Sequence, residues 1–399
     1  MPGNMLIAHG GGPTPVINSS LQGAIEEAKK HNAIKSIYGA RFGAEGILKG
    51  DLMDLGVFPD AVIKKLMSTP ASALGSCRRK LSGEDYPKVL DCFKKNDIRY
   101  FFYNGGNDSM DTCHQISRLA LESNYELNVI GIPKTIDNDL AETDHSPGFG
   151  SAARYAAVSA LELAMDAASL PIHVVVMEMM GRNAGWITAA SALYSDAMPC
   201  EHLVYLPERP LGKERFLAEV EIAWAKKRGL LVTVSEGLKD ENGKAYGDTG
   251  ILDGFGHMIP GGAAQCLVDL LITGLKLKAR AEKPGLLGRV NMACVSPVDR
   301  KEAYEAGTFA VKSAIEGKSG YMVAIEAERQ GRYVSRMKLV SLEKVANVEK
   351  VFPDSWFKRE GQGFTADFSA YCLPLLGSDK PDYVYLKNEL DGQEPYDKH

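Results

Sequence analysis

No run of about eighteen apolar residues occurs in this chain, so no membrane-spanning helix is expected. There is no basic excess either. The 46 Lys and Arg against 51 Asp and Glu leave a formal charge of −5, without the positive field that nucleic acid or an anionic membrane surface would want. The seven cysteines are odd in number and scattered, with no CxxC pair, which excludes a disulfide framework and suits reduced thiols. The start, Met1 to Gly12, lacks the charged opening and long apolar stretch of a secretory signal, so a cytoplasmic protein is expected. Low-complexity segments, short repeats and Pro/Ser-rich linkers are missing too. What is there is ordinary in bulk: 399 residues, 45% apolar and 24% charged, enough for one or two closed cores without disulfide or metal staples. The 40 glycines are less ordinary and point to many tight turns or close backbone–ligand approaches.

Short apolar runs alternate with amphipathic stretches along the chain. Strands are expected at Met5–Ala8, Ile34–Tyr38, Tyr100–Tyr103 and Val129–Ile132, then at His173–Val176, Leu230–Val234 and Gly320–Ile325. Helices are expected at Ile17–Lys30, Asp60–Leu66, Tyr86–Lys95, Ser151–Ala168, Glu214–Arg228, after Gly262 through Leu271, and at Asp299–Glu316. Lys276–Lys283 is basic and reads as a solvated face, and the remaining tail is of mixed character. Strand, loop and helix in alternation imply parallel sheets with crossover helices, and in such sheets ligands sit beyond the carboxyl ends of the strands. The layout expected is two α/β lobes sharing one active cleft, with the chain crossing between them more than once.

Four loops at strand ends carry unusual chemistry. Gly10-Gly11-Gly12-Pro13-Thr14-Pro15 lies between a strand and a helix, where backbone N–H groups can approach a phosphate, or where a plain tight turn suffices. It matches neither the Walker spacing nor GxGxxG. Asn104-Gly105-Gly106-Asn107-Asp108-Ser109 repeats the arrangement, with Asp108 or Ser109 read either as helix N-caps or as ligand groups. Pro133-Lys134-Thr135-Ile136-Asp137-Asn138-Asp139 places two carboxylates two residues apart beside a Lys and a Thr. Read as chemistry rather than as a bland turn, one carboxylate accepts a proton from an alcohol while the other organises a metal, and Lys and Thr face phosphate oxygens. In Met180-Gly181-Arg182 the Gly permits close approach and the Arg can fork onto a phosphate or simply be solvated.

In this order the loops resemble the phosphofructokinase family over nearly the whole chain, and within it the pyrophosphate-dependent branch. The resemblance rests on Gly11-Gly12-Pro13-Thr14-Pro15-Val16-Ile17-Asn18, Leu74-Gly75-Ser76-Cys77-Arg78, Gly105-Gly106-Asn107-Asp108-Ser109, Gly131 to Asp139, Met180-Gly181-Arg182 and Glu236-Gly237. It implies a phosphofructokinase-like α/β fold of two Rossmann-like three-layer lobes with mainly parallel sheets. Residues 1–150 with about 290–345 would form the phosphate-donor lobe, and 151–289 with about 346–399 the sugar-phosphate lobe. It implies reversible phosphoryl transfer from pyrophosphate to fructose 6-phosphate with Mg2+, in a cytoplasmic homodimer or homotetramer of glycolysis and gluconeogenesis.

By position, the resemblance makes Asp137 the base at the sugar 1-hydroxyl, with Thr135 and Lys134 at the transferred group. Asp139 and Asn107 would serve the metal, and Gly11, Gly12, Arg78, Asp108 and Lys134 the donor. Thr135, Asp137, Met180, Gly181, Arg182, Glu236, Arg280 and Arg289 would hold the sugar phosphate. Asp108 and Lys134 stand where ATP-dependent relatives carry glycine, and they are expected to set donor choice, Asp108 foremost. Three departures stand out. Val16 replaces a glycine, Asn107 replaces the Asp of ATP enzymes, and Gly288 replaces the Gln before Arg289, which is matched through Cys294, Val295, Ser296, Asp299 and, nine residues earlier, Arg280. Gly256-His257 and Gly261-Gly262 resemble a preceding family loop, in which His257 reads as structural. The rival readings are an ATP-dependent phosphofructokinase, a non-catalytic regulatory subunit of the same fold, and a dehydrogenase whose fingerprint glycines are missing.

Overall fold

The computed structural model describes residues 1–170, 174–227, 229–252, 258–260, 262–359 and 362–386. Among these, the strands are β1 (Gly3–His9), β2 (Ile34–Ala40), β3 (Leu52–Asp54), β4 (Ile98–Gly105), β5 (Asn128–Pro133), β6 (Val174–Met179), β7 (Glu201–Tyr205), β8 (Leu230–Ser235), β9 (Asp248–Leu252), β10 (Met258–Pro260), β11 (Ala279–Glu282), β12 (Tyr321–Glu328) and β13 (Val334–Ser341). They fall into two compact units. One holds Met1–Ala152 and Arg289–Lys350, the other Ala153–Gly288 and Val351–His399.

β1 reads as an unbroken apolar run because both of its faces are covered. Met5 and Ile7 pack with Leu21, Ile25, Ala306 and Ala310 of the helices Ile17–Ala28 and Pro297–Ile315. Leu6 and Ala8 pack with Val89, Phe93, Met110 and Ile116 of the helices Asp85–Lys95 and Asn107–Glu122. The first unit is therefore a three-layer sandwich around a sheet ordered β13-β12-β5-β4-β1-β2-β3. Its five inner strands run parallel, while β13 and β3 are antiparallel edges. The second unit holds an all-parallel sheet ordered β11-β6-β8-β7, in which Val174, Val176, Val232 and Val234 pack with Phe216, Val220, Leu267 and Leu271, and a small β9–β10 pair. Among the described residues no helix is long and apolar enough to cross a membrane.

Two expectations change. Lys276–Lys283 is no mere solvated face: it contains β11, an edge strand whose Ala279 and Ala281 turn inward while Arg280 and Glu282 are exposed. Edge strands tolerate charge on the open side, so composition hid the strand. The tail carries the helix Ala366–Leu376, and β13 stands where no strand was expected, since an edge of half-exposed residues lacks a continuous apolar run. His173 and Arg228, at the ends of expected elements, lie outside the described residues.

Two features hold the first unit together. The helices Ile17–Ala28 and Pro297–Ile315 touch backbone to backbone through Gly23 and Gly307, where an added Cβ would run into the carbonyls of Tyr304 and Ser20 respectively. Beneath β12, fully buried His145 sits between carboxylates, with Nδ1 2.8 Å from Asp144 Oδ1 and Nε2 2.7 Å from Glu302 Oε2. Arg329 forks onto Asp144 at 2.6 and 2.7 Å, and the Tyr333 hydroxyl donates to Glu302 at 2.6 Å. Burial alone would keep His145 neutral, but Glu302 and Asp144 override it and raise its pKa to about 9. Burial likewise opposes the two carboxylates, yet their cationic and hydrogen-bonding partners hold both below the usual range.

Gly307→Ala should cost about 1–3 kcal/mol by overpacking, read as a lower denaturation midpoint with unchanged helix content. An unshifted midpoint would mean that the helices slide apart freely. The buried His145 network predicts a pH dependence. A raised folded pKa contributes stability fully below about pH 6.5 and loses it as pH rises through about 9. The lowered carboxylates contribute above their unfolded values of about 4 and lose it in acid. Thermal stability should therefore peak between these limits and fall on the alkaline side. The double variant His145→Gln with Glu302→Gln should show a shallower alkaline loss; an equal loss would place its origin elsewhere.

Candidate active site

β5, β4 and β1 are consecutive neighbours and run parallel, so their carboxyl ends bring three glycine- and Asx-rich loops to one edge of the first sheet. Each loop then enters a helix: Ile17–Ala28, Asn107–Glu122 and Phe149–Ser169. The first loop is pinned on both sides. Gly10 N donates to Asn104 O and Gly11 N to Cys77 O, each at 2.9 Å, and Ser76 Oγ donates to Gly11 O at 2.7 Å.

Lys134 crosses beneath this loop. Its Nζ donates to Gly12 O at 2.6 Å and its backbone N to Gly105 O at 3.0 Å. The side chain is buried, with 3% of its surface exposed. Burial lowers its pKa to about 8; Asp137 and Asp139 push back toward the charged form, while Arg289 and Arg78 push further down. Arg289 Nη1 is 3.0 Å, and Arg78 Nη2 3.7 Å, from where a Cβ on Gly12 would stand. Three cations thus converge on a loop of backbone amides.

The Arg78 segment is held by residues to which no role was given from sequence. Asn18 Nδ2 donates to the carbonyls of Thr69 and Ala71 at 2.8 Å, and its Oδ1 accepts from Ala73 N at 2.9 Å. His9 Nδ1 is 2.7 Å from Ser72 Oγ, and burial, with Lys134 nearby, lowers the His9 pKa to about 3 and keeps the ring neutral. The signal for Asn18 was its place at the end of the first glycine-rich motif; His9 had only its place at a strand end.

Asp108 is not a helix cap. Gly106 takes that position, and Asp108 lies in the first turn with an exposed side chain, 3.7 Å from Lys80 Nζ. Asn107 is different: both amide atoms are buried without a hydrogen-bond partner, and so is Asp139 Oδ1. In the third loop Asp137 N donates to Thr135 Oγ1 at 3.1 Å, and Asn138, between the carboxylates, takes a left-handed φ of 55°. Burial raises the Asp139 pKa despite hydrogen bonds from the backbone and Thr135. The loop closes where Gly148 N donates to Asp299 Oδ1 at 2.8 Å and Ser151 Oγ to Asp299 Oδ2 at 2.6 Å. Buried, unpartnered oxygens on Asn107 and Asp139 are hard donors that fit Mg2+. Among the described residues no three His, Cys, Asp or Glu side chains gather as a metal site.

In the second unit, adjacent parallel strands β6 and β8 end in Met180-Gly181-Arg182 and Glu236-Gly237. Gly181 N donates to Glu236 Oε1 at 3.4 Å, the Ser235 hydroxyl donates to Gly181 O, and Glu236 N donates to Met179 O at 2.9 Å. Gly237 packs so closely on this turn that a Cβ would collide with the Arg182 carbonyl. Burial raises the Glu236 pKa against the pull of the Gly181 amide and Arg182. Arg182 itself is exposed. Arg280 is exposed on β11, whereas Arg289 belongs to the first unit beside Gly12, so their nine-residue spacing does not pair them within one unit. Gly256, His257 and Gly261 lie outside the described residues.

The family model described as phosphofructokinase matches residues 4–314, a span that includes all of these loops. The pyrophosphate–fructose 6-phosphate 1-phosphotransferase of Halomonas elongata is 39% identical over 392 residues, covering 95% of this chain and 93% of its own length. The sulfofructose kinase of Alkalicoccus urumqiensis is 34% identical over 355 residues, covering 88% and 91%. A solved pyrophosphate-dependent phosphofructokinase from Nitrosospira multiformis superposes with a TM-score of 0.86 at 39% identity, covering 96% of this chain and 94% of that one. Sequence likeness over nearly the full length and a shared fold agree: the chain belongs to the phosphofructokinase family.

Proposed function

We propose that this enzyme transfers a phosphoryl group reversibly between pyrophosphate and the 1-hydroxyl of fructose 6-phosphate. The observation that carries this reading is the buried Lys134 ammonium at the Gly11–Gly12 loop, in one segment with Asp137. A buried cation needs an anion, and a compact donor without a nucleoside must draw its affinity from charge.

Asp137 accepts the proton of the 1-hydroxyl as the oxygen–phosphorus bond forms, the bridging bond of pyrophosphate breaks, and inorganic phosphate leaves. Lys134, Arg78 and the amide of Gly12 stabilise the donor oxygens, Gly11, whose own N–H is taken by Cys77 O, shapes the donor turn with its left-handed φ of 73°, and Thr135 stabilises the group in transit. Asp139 and Asn107 would hold Mg2+, which when bound supplies charge neutralisation at the phosphates. Met180, Gly181, Arg182 and Glu236 hold the sugar, Glu236 accepting from its hydroxyls. Arg280 and Arg289 serve as phosphate-binding cations. The seven cysteines are all free, which suits a reducing compartment, and we place the reaction in the cytoplasm.

The exposure of Asp108 changes the expected ranking of the donor-selecting residues. A like-charge contact at about 4 Å in water is worth only about 1 kcal/mol, so Asp108 disfavours ATP by roughly fivefold. Lys134, desolvated and hydrogen-bonded, carries more.

The deciding assay compares pyrophosphate with ATP as donor, and fructose 6-phosphate with sulfofructose as acceptor. Wild-type protein preferring ATP would overturn the donor, and one preferring sulfofructose the acceptor. Lys134→Met should lower kcat/KM for pyrophosphate by roughly 10–150-fold, the worth of a charge-assisted contact, while Asp108→Gly raises kcat/KM for ATP only about fivefold. A larger gain from Asp108→Gly would restore Asp108 as the main selector. Asp137→Asn should lower kcat by about 10²–10⁴-fold without unfolding the protein. Near-normal turnover in that variant would remove Asp137 as the base.

A further inference from the structure

Lys350 is the last residue of the first unit, far in sequence from every loop described above. It is half-buried as a residue, yet its ammonium is desolvated beneath the third loop, where the charges of Asp144 and Asp139 favour its protonated form. Nζ donates to Asp144 O at 2.8 Å, to Thr143 O at 3.3 Å and to Asn138 Oδ1 at 3.4 Å. Its backbone N donates to Asp139 O at 2.7 Å, next to an antiparallel bridge between Leu140 and Glu349. One residue therefore grips the 138–144 segment at four points.

The grip falls where the backbone most needs it. Asn138 separates the two carboxylates and adopts a left-handed φ of 55°, fully buried, a conformation that a non-glycine residue keeps only when its surroundings impose it. The Asn138 side chain is fixed from both sides, since Oδ1 accepts from Ser146 N at 3.1 Å as well as from Lys350. Holding Asn138 holds the directions in which Asp137 and Asp139 leave the chain. A lysine suits the task because its three donors radiate from one point onto three separate oxygens; a neutral side chain of that length has fewer donors.

We propose that Lys350 is a positioning residue for phosphoryl transfer, fixing the bend at Asn138 so that Asp137 and Asp139 keep their places. This rests on reading the Thr135–Asp139 loop as catalytic. Lys350 touches no reacting atom; it acts on kcat through geometry, and a displacement of about 1 Å at a reacting group can cost about a hundredfold.

The test combines kinetics with amide hydrogen exchange on the full-length protein. Lys350→Met should lower kcat about 10–100-fold while KM for pyrophosphate and for fructose 6-phosphate stays within about threefold, because the donor and sugar ligands are untouched. Exchange across residues 137–146 should rise at least about tenfold in that variant, with β4 unchanged. Lys350→Arg, which keeps a cation and several donors, should recover at least about a tenth of wild-type kcat. Should Lys350→Met not fold, Lys350→Gln carries the same test with the same directions and smaller size. A kcat within twofold of wild type, a loss shared equally by KM, or unchanged exchange in 137–146 would each overturn the assignment. The exchange arm needs no turnover, so it judges Lys350 even if wild-type protein fails to use pyrophosphate; that failure would overturn the functional reading alone.

Discussion

An ammonium group removed from water is tolerable only where oxygens surround it, and much of the first unit's architecture follows from placing Lys134 in that position. Its Nζ reaches the carbonyl of Gly12 and its backbone N the carbonyl of Gly105, so one residue ties the ends of three adjacent strands. Asp137 and Asp139 favour its charge, while Arg78 and Arg289 oppose it. Burial is what lowers this lysine to about 8, and an anion with several negative oxygens would favour its charged form. Pyrophosphate meets the requirement in a smaller volume than a nucleotide does. Neighbouring His9 stays neutral chiefly because it is buried, and the Lys134 charge beside it adds to the same effect.

The rest of the site depends on scaffolding that carries no reacting group. Asn18 and the His9–Ser72 contact hold the segment that bears Arg78, Asp299 closes the loop after β5 on the start of the next helix, and Ser235 fixes the Gly181 turn. The His9–Ser72 contact joins two side chains; in the other cases a polar side chain satisfies backbone groups that a glycine-rich or Asx-rich loop leaves unpaired. Loops that approach phosphate with bare amides cannot also pair those amides with one another, and so neighbouring side chains supply the order. The buried His145–Glu302–Asp144–Arg329 set works on a larger scale, anchoring the far end of the loop after β5 to β12 and the helix Pro297–Ile315.

The loops themselves were legible in the residue order. Glycine pairs after apolar runs, the Lys-Thr-Ile-Asp-Asn-Asp segment and the Met-Gly-Arg turn keep their character because phosphate chemistry restricts which residues can serve. Inner strands and long helices could be read for a similar reason: two covered faces demand unbroken apolar runs, and one covered face demands helical spacing. β11 and β13 escaped because an edge strand satisfies neither pattern. Exposure was not legible either. Lys134 and Asp108 are both charged loop-and-helix-start residues in sequence, yet one is buried under the Gly11–Gly12 loop and the other stands in solvent beside Lys80.

From residues alone, then, came the family resemblance, the α/β class, the identity of the chemical groups and the kind of reaction they can perform, because these depend on local composition and on motifs a few residues long. Tertiary structure alone decided that Arg289 stands with Gly12 while Arg280 lies on a separate unit's edge strand, that Asn107 and Asp139 keep buried oxygens without partners, and that Lys350 reaches back under Asn138. Each of those facts joins positions scores of residues apart or turns on which side chains the packing hides from water. Desolvation and distance are properties of the folded chain, and no short window of sequence contains them.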